Sequence, residues 1–228
     1  MVVNNFESTL DDGKLMRLLG ARRGKKPSPA SIRRVDDLTQ RLENLADPWL
    51  VYRIFPLRSV EKGAVTLANG IRFKSPKIAR TLADADRVCC FVATIGEALD
   101  REIDRCMAED RYADAYVLDA MGSIAAEDVV EQFHRRMENR LENEDRSVTL
   151  RFSPGYCDWP LQQQRRLFAL FADADPMDVA LTKTCLMSPR KSVSGIFGIL
   201  PEGIESDTGH SNPCNECPKT DCIARRAD

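Results

Sequence analysis

The chain has 228 residues, 43% of them hydrophobic, enough for one sizeable core or two small ones. With 33 basic and 35 acidic side chains the net charge is −2, and only 7% of residues are aromatic, which excludes both the basic face and the base-stacking platform of a nucleic-acid binder. No stretch approaches the ~20 apolar residues of a membrane helix, and the polar start (Asn4, Asn5, Glu7, Asp11, Asp12) lacks a signal-peptide pattern, so a cytoplasmic protein binding no membrane is expected.

Residues 1–27 form a polar N-terminal segment ending in the basic run Arg22-Arg23-Gly24-Lys25-Lys26. After Ser28-Pro29, the residues Ile32, Val35, Leu38, Leu42 and Leu45 recur at helical spacing, which predicts an amphipathic helix that Pro48 stops. Residues 49–55 read as a strand. Residues 65–67 and 71–73 flank Asn69-Gly70, a hairpin signal because both turn residues tolerate positive φ. Ser75-Pro76 opens a short helix, residues 87–94 form a buried strand, and Gly96 hands over to a helix at 97–107. The longest helix spans 112–141, with a break expected near Gly122 and an inner face of Val117, Met121, Ile124, Ala125, Val129 and Phe133. A β segment at 147–152 leads into Ser153-Pro154-Gly155, and a helix at 161–171 follows. Strands are expected at 179–186 and 192–200, split by Ser188-Pro189. These elements mix without a regular βαβ beat, which predicts an α+β fold: a mixed, largely antiparallel twisted sheet with flanking helices. The α+β domain occupies 28–200, and a polar, cysteine-rich tail occupies 201–228.

Eight cysteines divide into two groups. Cys89, Cys90, Cys106, Cys157 and Cys185 are scattered. A chain of this size folds without disulfides, so most of these five are expected as small core hydrophobes. Cys214-x2-Cys217-x4-Cys222 lies in a polar stretch with Pro213 and Pro218, which offers no core to three thiols and favours a metal or redox role. Three thiolates need a fourth ligand, for which Cys157, Cys185, His210 and Asp221 are candidates. An iron–sulfur cluster, zinc, and metal-free thiols or one disulfide all fit the spacing.

Arg151-Phe152-Ser153-Pro154-Gly155-Tyr156-Cys157-Asp158-Trp159-Pro160 leaves its strand through a proline–glycine turn. Gly155 can take positive φ and bring backbone close to a ligand. Arg151 offers a planar fork for a carboxylate, and Tyr156 and Trp159 offer flat apolar faces with polar tips. The set suits an amino-acid carboxylate and one face of a nucleoside; composition alone favours an aromatic turn capped by an arginine. Glu127 has Ser123 and Glu131 as its helical neighbours and no local cation, as expected of a solvated glutamate or of a partner for a ligand ammonium, whereas Glu131 can pair with Arg135. His134 and His210 read as structural or exposed.

The 151–156 run resembles the arginine…proline–glycine–tyrosine loop of the activation domain of cobalamin-dependent methionine synthase. Met187-Ser188-Pro189-Arg190-Lys191-Ser192-Val193-Ser194-Gly195 resembles that family's methionine-x-proline-x-x-serine-valine-serine-glycine stretch. Ala126-Glu127-Asp128-Val129-Val130-Glu131-Gln132-Phe133-His134 resembles its long-helix pattern of glutamate, glutamate and histidine. The resemblance spans about residues 15–200, and the stretches at 151–161 and around Leu118-Asp119-Ala120 look closer still to free-standing homologues in anaerobic bacteria.

That resemblance implies an activation-domain-like fold that binds S-adenosylmethionine. Arg151 would hold the ligand's carboxylate, Tyr156 would pack on the ligand beside Gly155, and Glu127 would sit near its ammonium. Backbone around Ile196 to Gly198 would meet the nucleoside, with Phe197-Gly198 standing where the family has an aromatic pair. An aspartate near the family's domain start has no counterpart here. The implied role is reductive remethylation of a cobalt(II) corrinoid, the cobalamin arriving on a partner such as methionine synthase or another corrinoid protein, with a low-potential electron donor. Arg190 and Lys191 would then face an acidic partner or the corrinoid's substituents, or be solvated turn cations. No acid–base or nucleophilic constellation occurs, and methyl transfer from a sulfonium needs none. A sensor of S-adenosylmethionine and a metal-binding interaction module are the alternative readings.

Overall fold

The computed structural model describes residues 1–6, 15, 29–174 and 177–205. Cys214, Cys217, Cys222, His210, Asp221 and the basic run at 22–26 lie outside the described residues.

Helix α1 (Pro29–Leu45) follows the strand β1 (Val2–Val3) and leads to β2 (Trp49–Glu61), β3 (Ala64–Leu67) and β4 (Arg72–Lys74). Then come α2 (Pro76–Thr81), β5 (Arg87–Thr94), α3 (Ala98–Ala108) and the long α4 (Tyr112–Glu142). Beyond it, 3-10 turns at Leu161–Gln163 and Ala169–Phe171 flank α5 (Gln164–Phe168), and β6 (Ala180–Leu181), β7 (Met187–Ser188) and β8 (Ser192–Ile199) complete the order. The main sheet runs β4-β3-β2-β5-β8, with β1 paired to β2, and each of these pairings is antiparallel. This is the expected α+β class. Strand β2 runs past the expected end at Phe55. Its first half pairs with β5 and its second with β3, the register shifting between Leu57 and Ser59 where it changes partner.

Strict alternation builds a layer on each face of the sheet, because successive strand residues point to opposite sides. Cys89, Phe91 and Ala93 of β5 join Tyr52, Phe197 and residues of α1, α3 and α4 in one core. Val88, Cys90 and Val92 join Trp49, Ile196 and residues of α2 and the 161–171 segment in the other. A central strand covered on both sides reads as a continuous apolar run, which is what Val88 to Thr94 looked like in sequence.

Several expectations are corrected. Helix α4 runs unbroken through Gly122, which is there for packing: a Cβ at that position would lie 2.4 Å from Leu99 Cδ2. The 147–152 segment makes two isolated bridges to β8, Val148 to Ile199 and Phe152 to Ile196, in place of a continuous strand. Of the expected 179–186 strand only Ala180–Leu181 is extended, as β6, and the residues after it form a turn into β7. Thr182 closes the turn, its N–H donating to Leu186 O at 2.8 Å and its hydroxyl accepting from Leu186 N–H at 3.0 Å, while Cys185 takes φ 66°. Among the described residues no helix is long and apolar enough to cross a membrane.

Candidate functional site

The 147–152 segment occupies the free edge of β8. Thr149 N–H donates to Gly198 O at 3.0 Å, Gly198 N–H donates to Thr149 Oγ1 at 2.8 Å, and Phe152 and Ile196 exchange two bonds of 2.9 Å. At Ser153 the chain turns away from the strand. Gly155 takes φ 93°, as a proline–glycine turn needs, and its N–H donates to Trp159 O at 2.9 Å. The loop is then pinned to the far side of the sheet. Asp158 accepts from the Ser75 hydroxyl and from Lys77 N–H at 2.9 Å, placing a carboxylate on the first turn of α2. Gln163 both accepts from Lys74 N–H and donates to Lys74 O at 2.7 Å, as a neighbouring strand would. Trp159 is buried edge-on against Phe73, their centroids 5.4 Å apart.

This departure leaves a cleft of about 110 Å³ lined by Glu127, Ser153, Pro154, Tyr156, Gln164, Met187, Ser192, Val193 and Ser194. Small-molecule pockets usually hold roughly 300–1,000 Å³, so the enclosed space is too small for a whole nucleoside-sized ligand.

Of the residues expected from sequence, Glu127 and Tyr156 line the cleft, Tyr156 being 53% exposed. Arg151 is not among the lining residues: its side chain is 6% exposed and its Nη2 lies 3.0 Å from Glu131 Oε2. Glu131 also takes Arg135 at 3.1 Å, the helical pair expected. Glu127 and Glu131 are one turn apart, so the buried Arg151 ties the loop to the helix that carries the cleft's carboxylate. The Phe197 ring is fully buried on the helix side among Phe91, Phe133 and His134. Gly198 lies under Leu82 and Thr149, a Cβ there coming 2.5 Å from Leu82 Cδ2. The backbone at 196–198 is bonded to β5 on one edge and to 149–152 on the other. His134 is structural, its Nε2 3.0 Å from Thr149 O.

Sequence reasoning missed Ser153, Pro154, Gln164, Met187, Ser192, Val193 and Ser194 as cleft residues. Ser192 is satisfied by Thr94 Oγ1 at 2.9 Å and Pro189 O at 2.8 Å. Ser194 Oγ and Gln164 Nε2 are buried and have no hydrogen-bond partner among the described residues. A buried donor without a partner costs about 1–3 kcal/mol, and both of these belong to residues that line the cleft.

Lys191 departs from the solvated turn cation expected above, whereas Arg190 stays at the surface. Lys191 is 7% exposed, with Nζ 2.7 Å from Asp119 and 3.0 Å from Ser123 on α4. Arg190 binds Asp100 and Asp104 of α3. Lys191 is a buried strut and Arg190, its side chain 49% exposed, a surface ion pair; together they hold the turn before β8 against the helices.

Cys89, Cys90, Cys106 and Cys185 are buried and Cys157 is exposed. Burial pushes the Cys89, Cys90 and Cys106 thiols above their ordinary range. Among the described residues no group of three or more His, Cys, Asp or Glu side chains is placed to hold a metal.

The family model described as vitamin B12 dependent methionine synthase, activation domain, matches residues 77–207, more than half of the chain. Among solved structures, one described as the MetH reactivation domain bound to AdoHcy superposes with a TM-score of 0.57 at 19% identity, covering 83% of this chain and 70% of that one. No curated protein matches. The superposition establishes a shared fold.

Proposed function

The chain belongs to the vitamin B12-dependent methionine synthase activation-domain family, and from that premise we propose that it binds S-adenosylmethionine in the α4–β8 cleft. There it supports reductive remethylation of a cobalt(II) corrinoid carried by a partner such as methionine synthase. The observation that carries this reading is the make-up of the cleft: one carboxylate, Glu127, an exposed ring, Tyr156, and an apolar wall of Pro154, Met187 and Val193. Those groups match a ligand with an ammonium at one end and a flat nucleoside at the other.

Each residue then has a task. Glu127 holds the ligand ammonium. Tyr156 gives the nucleoside a flat surface at the cleft mouth. Arg151, braced by Glu131, supplies positive charge for the ligand carboxylate and shares its fork between the two. Bound there, S-adenosylmethionine supplies an electrophilic methyl group. No residue of this chain has to move a proton, so binding and presentation are what the site contributes.

Isothermal titration tests the binding. S-adenosylmethionine and S-adenosylhomocysteine should both bind, and Arg151→Ala should weaken each by about 1.5–3 kcal/mol, as a lost charge-assisted hydrogen bond does. Unchanged affinity in that variant would remove Arg151 from the site. Mixed with a corrinoid protein in the cobalt(II) state and a strong reductant, the protein should speed remethylation in a manner that requires S-adenosylmethionine. Binding without acceleration on any corrinoid partner from its own organism would favour a sensor.

A further inference from the structure

We infer that Gln164 and Ser194 form the carboxylate-binding pole of the cleft, and that the enclosed part of the site takes the α-amino-acid head of the ligand. This rests on the proposed S-adenosylmethionine reading and adds two residues to it. Both side chains belong to residues only 2% exposed, yet Gln164 Nε2 and Ser194 Oγ lack a hydrogen-bond partner among the described residues. Both residues line the same cleft as Glu127. Two neighbouring polar side chains are already committed. Gln163 is taken up by the Lys74 backbone, and Ser192 by Thr94 and Pro189. The loop's attachment through Asp158 and Gln163 holds the next residue, Gln164, against the β8 edge.

Chemistry decides which end of the ligand these atoms meet. An amide N–H is a donor only, and a serine hydroxyl donates readily, so the two together suit an acceptor with several lone pairs. A carboxylate is such a group. Glu127, an acceptor, faces the same space and suits the ammonium on the adjacent carbon. Donors and acceptor around one small volume form a mould for a zwitterion. The size agrees: about 110 Å³ admits an amino-acid head and excludes a nucleoside, which is left to the exposed Tyr156 ring.

The test is titration of wild type, Ser194→Ala, Gln164→Met and Gln164→Glu with S-adenosylhomocysteine and with its decarboxylated analogue, which keeps the ammonium and the nucleoside. Each substitution should weaken S-adenosylhomocysteine by roughly tenfold or more, as loss of a hydrogen bond to a charged group does, with Gln164→Glu the worst. The decarboxylated analogue should bind Ser194→Ala and Gln164→Met as it binds wild type. Melting of the unliganded protein gives a second readout. Ser194→Ala and Gln164→Met each remove an unpartnered buried donor, so the midpoint should hold or rise, where a structural role would lower it. Equal losses for both ligands, or no loss for either, would overturn the assignment while leaving S-adenosylmethionine binding intact. Failure of wild type to bind S-adenosylhomocysteine would overturn the underlying reading as well.

Discussion

Cys89 and Cys90 are neighbours on β5 that point into opposite cores, each with no solvent exposure. Burial is the largest cause of the rise in both thiols, with the adjacent Cys90 adding to it for Cys89. The sign of the pH effect follows. In the unfolded chain a thiol ionises near pH 8.5, whereas in the folded protein these two stay protonated well beyond that. Below that value both states carry the proton and pH does not discriminate between them. Above it the unfolded state loses protons that the folded state keeps, so stability falls as pH rises. Tyr52, also raised chiefly by burial, adds to the fall at higher pH. The urea midpoint should therefore be level up to about pH 8 and decline beyond it. Cys89→Ala and Cys90→Ala, though less stable throughout, should flatten that decline. An equally steep alkaline loss in both variants would assign it elsewhere.

At the scale of elements, the site depends on how closely the 147–152 segment approaches β8. Gly195 permits that approach: a Cβ there would lie 2.5 Å from Phe152 O and 2.7 Å from Phe91 Cζ. One contact is backbone and the other a fully buried ring, so neither yields cheaply. Gly195→Ala should cost about 1–3 kcal/mol in denaturant unfolding and weaken S-adenosylhomocysteine binding, because displacing Phe152 displaces the loop that follows it. Full stability in that variant would show that the edge of β8 adapts. The same elements mark the reach of local pattern. The continuous apolar run in 87–94, the 3.6-residue spacing along α4 and the Asn69-Gly70 turn were legible because each is set by neighbours in sequence. Gly122 misled because glycine's low helix propensity says nothing of the Leu99 side chain that needs its space. The apolar and β-branched residues of 179–186 misled because the Thr182 turn overrides strand propensity.

Across the whole molecule, the site is assembled by contacts that no local pattern announces. Lys191 meets Asp119 from 72 residues away, Asp158 meets Ser75 from 83, and Gln163 meets Lys74 from 89. Glu127 and Tyr156 could be picked out because they stand in motifs. Ser194 stands in a motif as well, but neither it nor Gln164 could be assigned a role, since a serine or glutamine reads alike in sequence whether solvated or buried without a partner. Every cleft residue lies between Glu127 and Ser194, and the buried cores are built from described residues up to Ile199. The cysteines of the tail begin at Cys214, beyond both. Ligand binding and any metal chemistry of the tail are therefore expected to separate. Three thiolates at the spacing of Cys214, Cys217 and Cys222 can bind a metal, and binding requires them deprotonated. Protein purified without oxygen should carry iron or zinc by elemental analysis, and replacing all three cysteines with serine should release it. Affinity for S-adenosylhomocysteine should be the same before and after, because serine at those positions leaves Glu127, Gln164 and Ser194 untouched. Metal-free wild-type protein would reduce the tail to thiols or a disulfide. A fall in affinity in the triple variant would mean that the tail reaches the cleft and takes part in closing it.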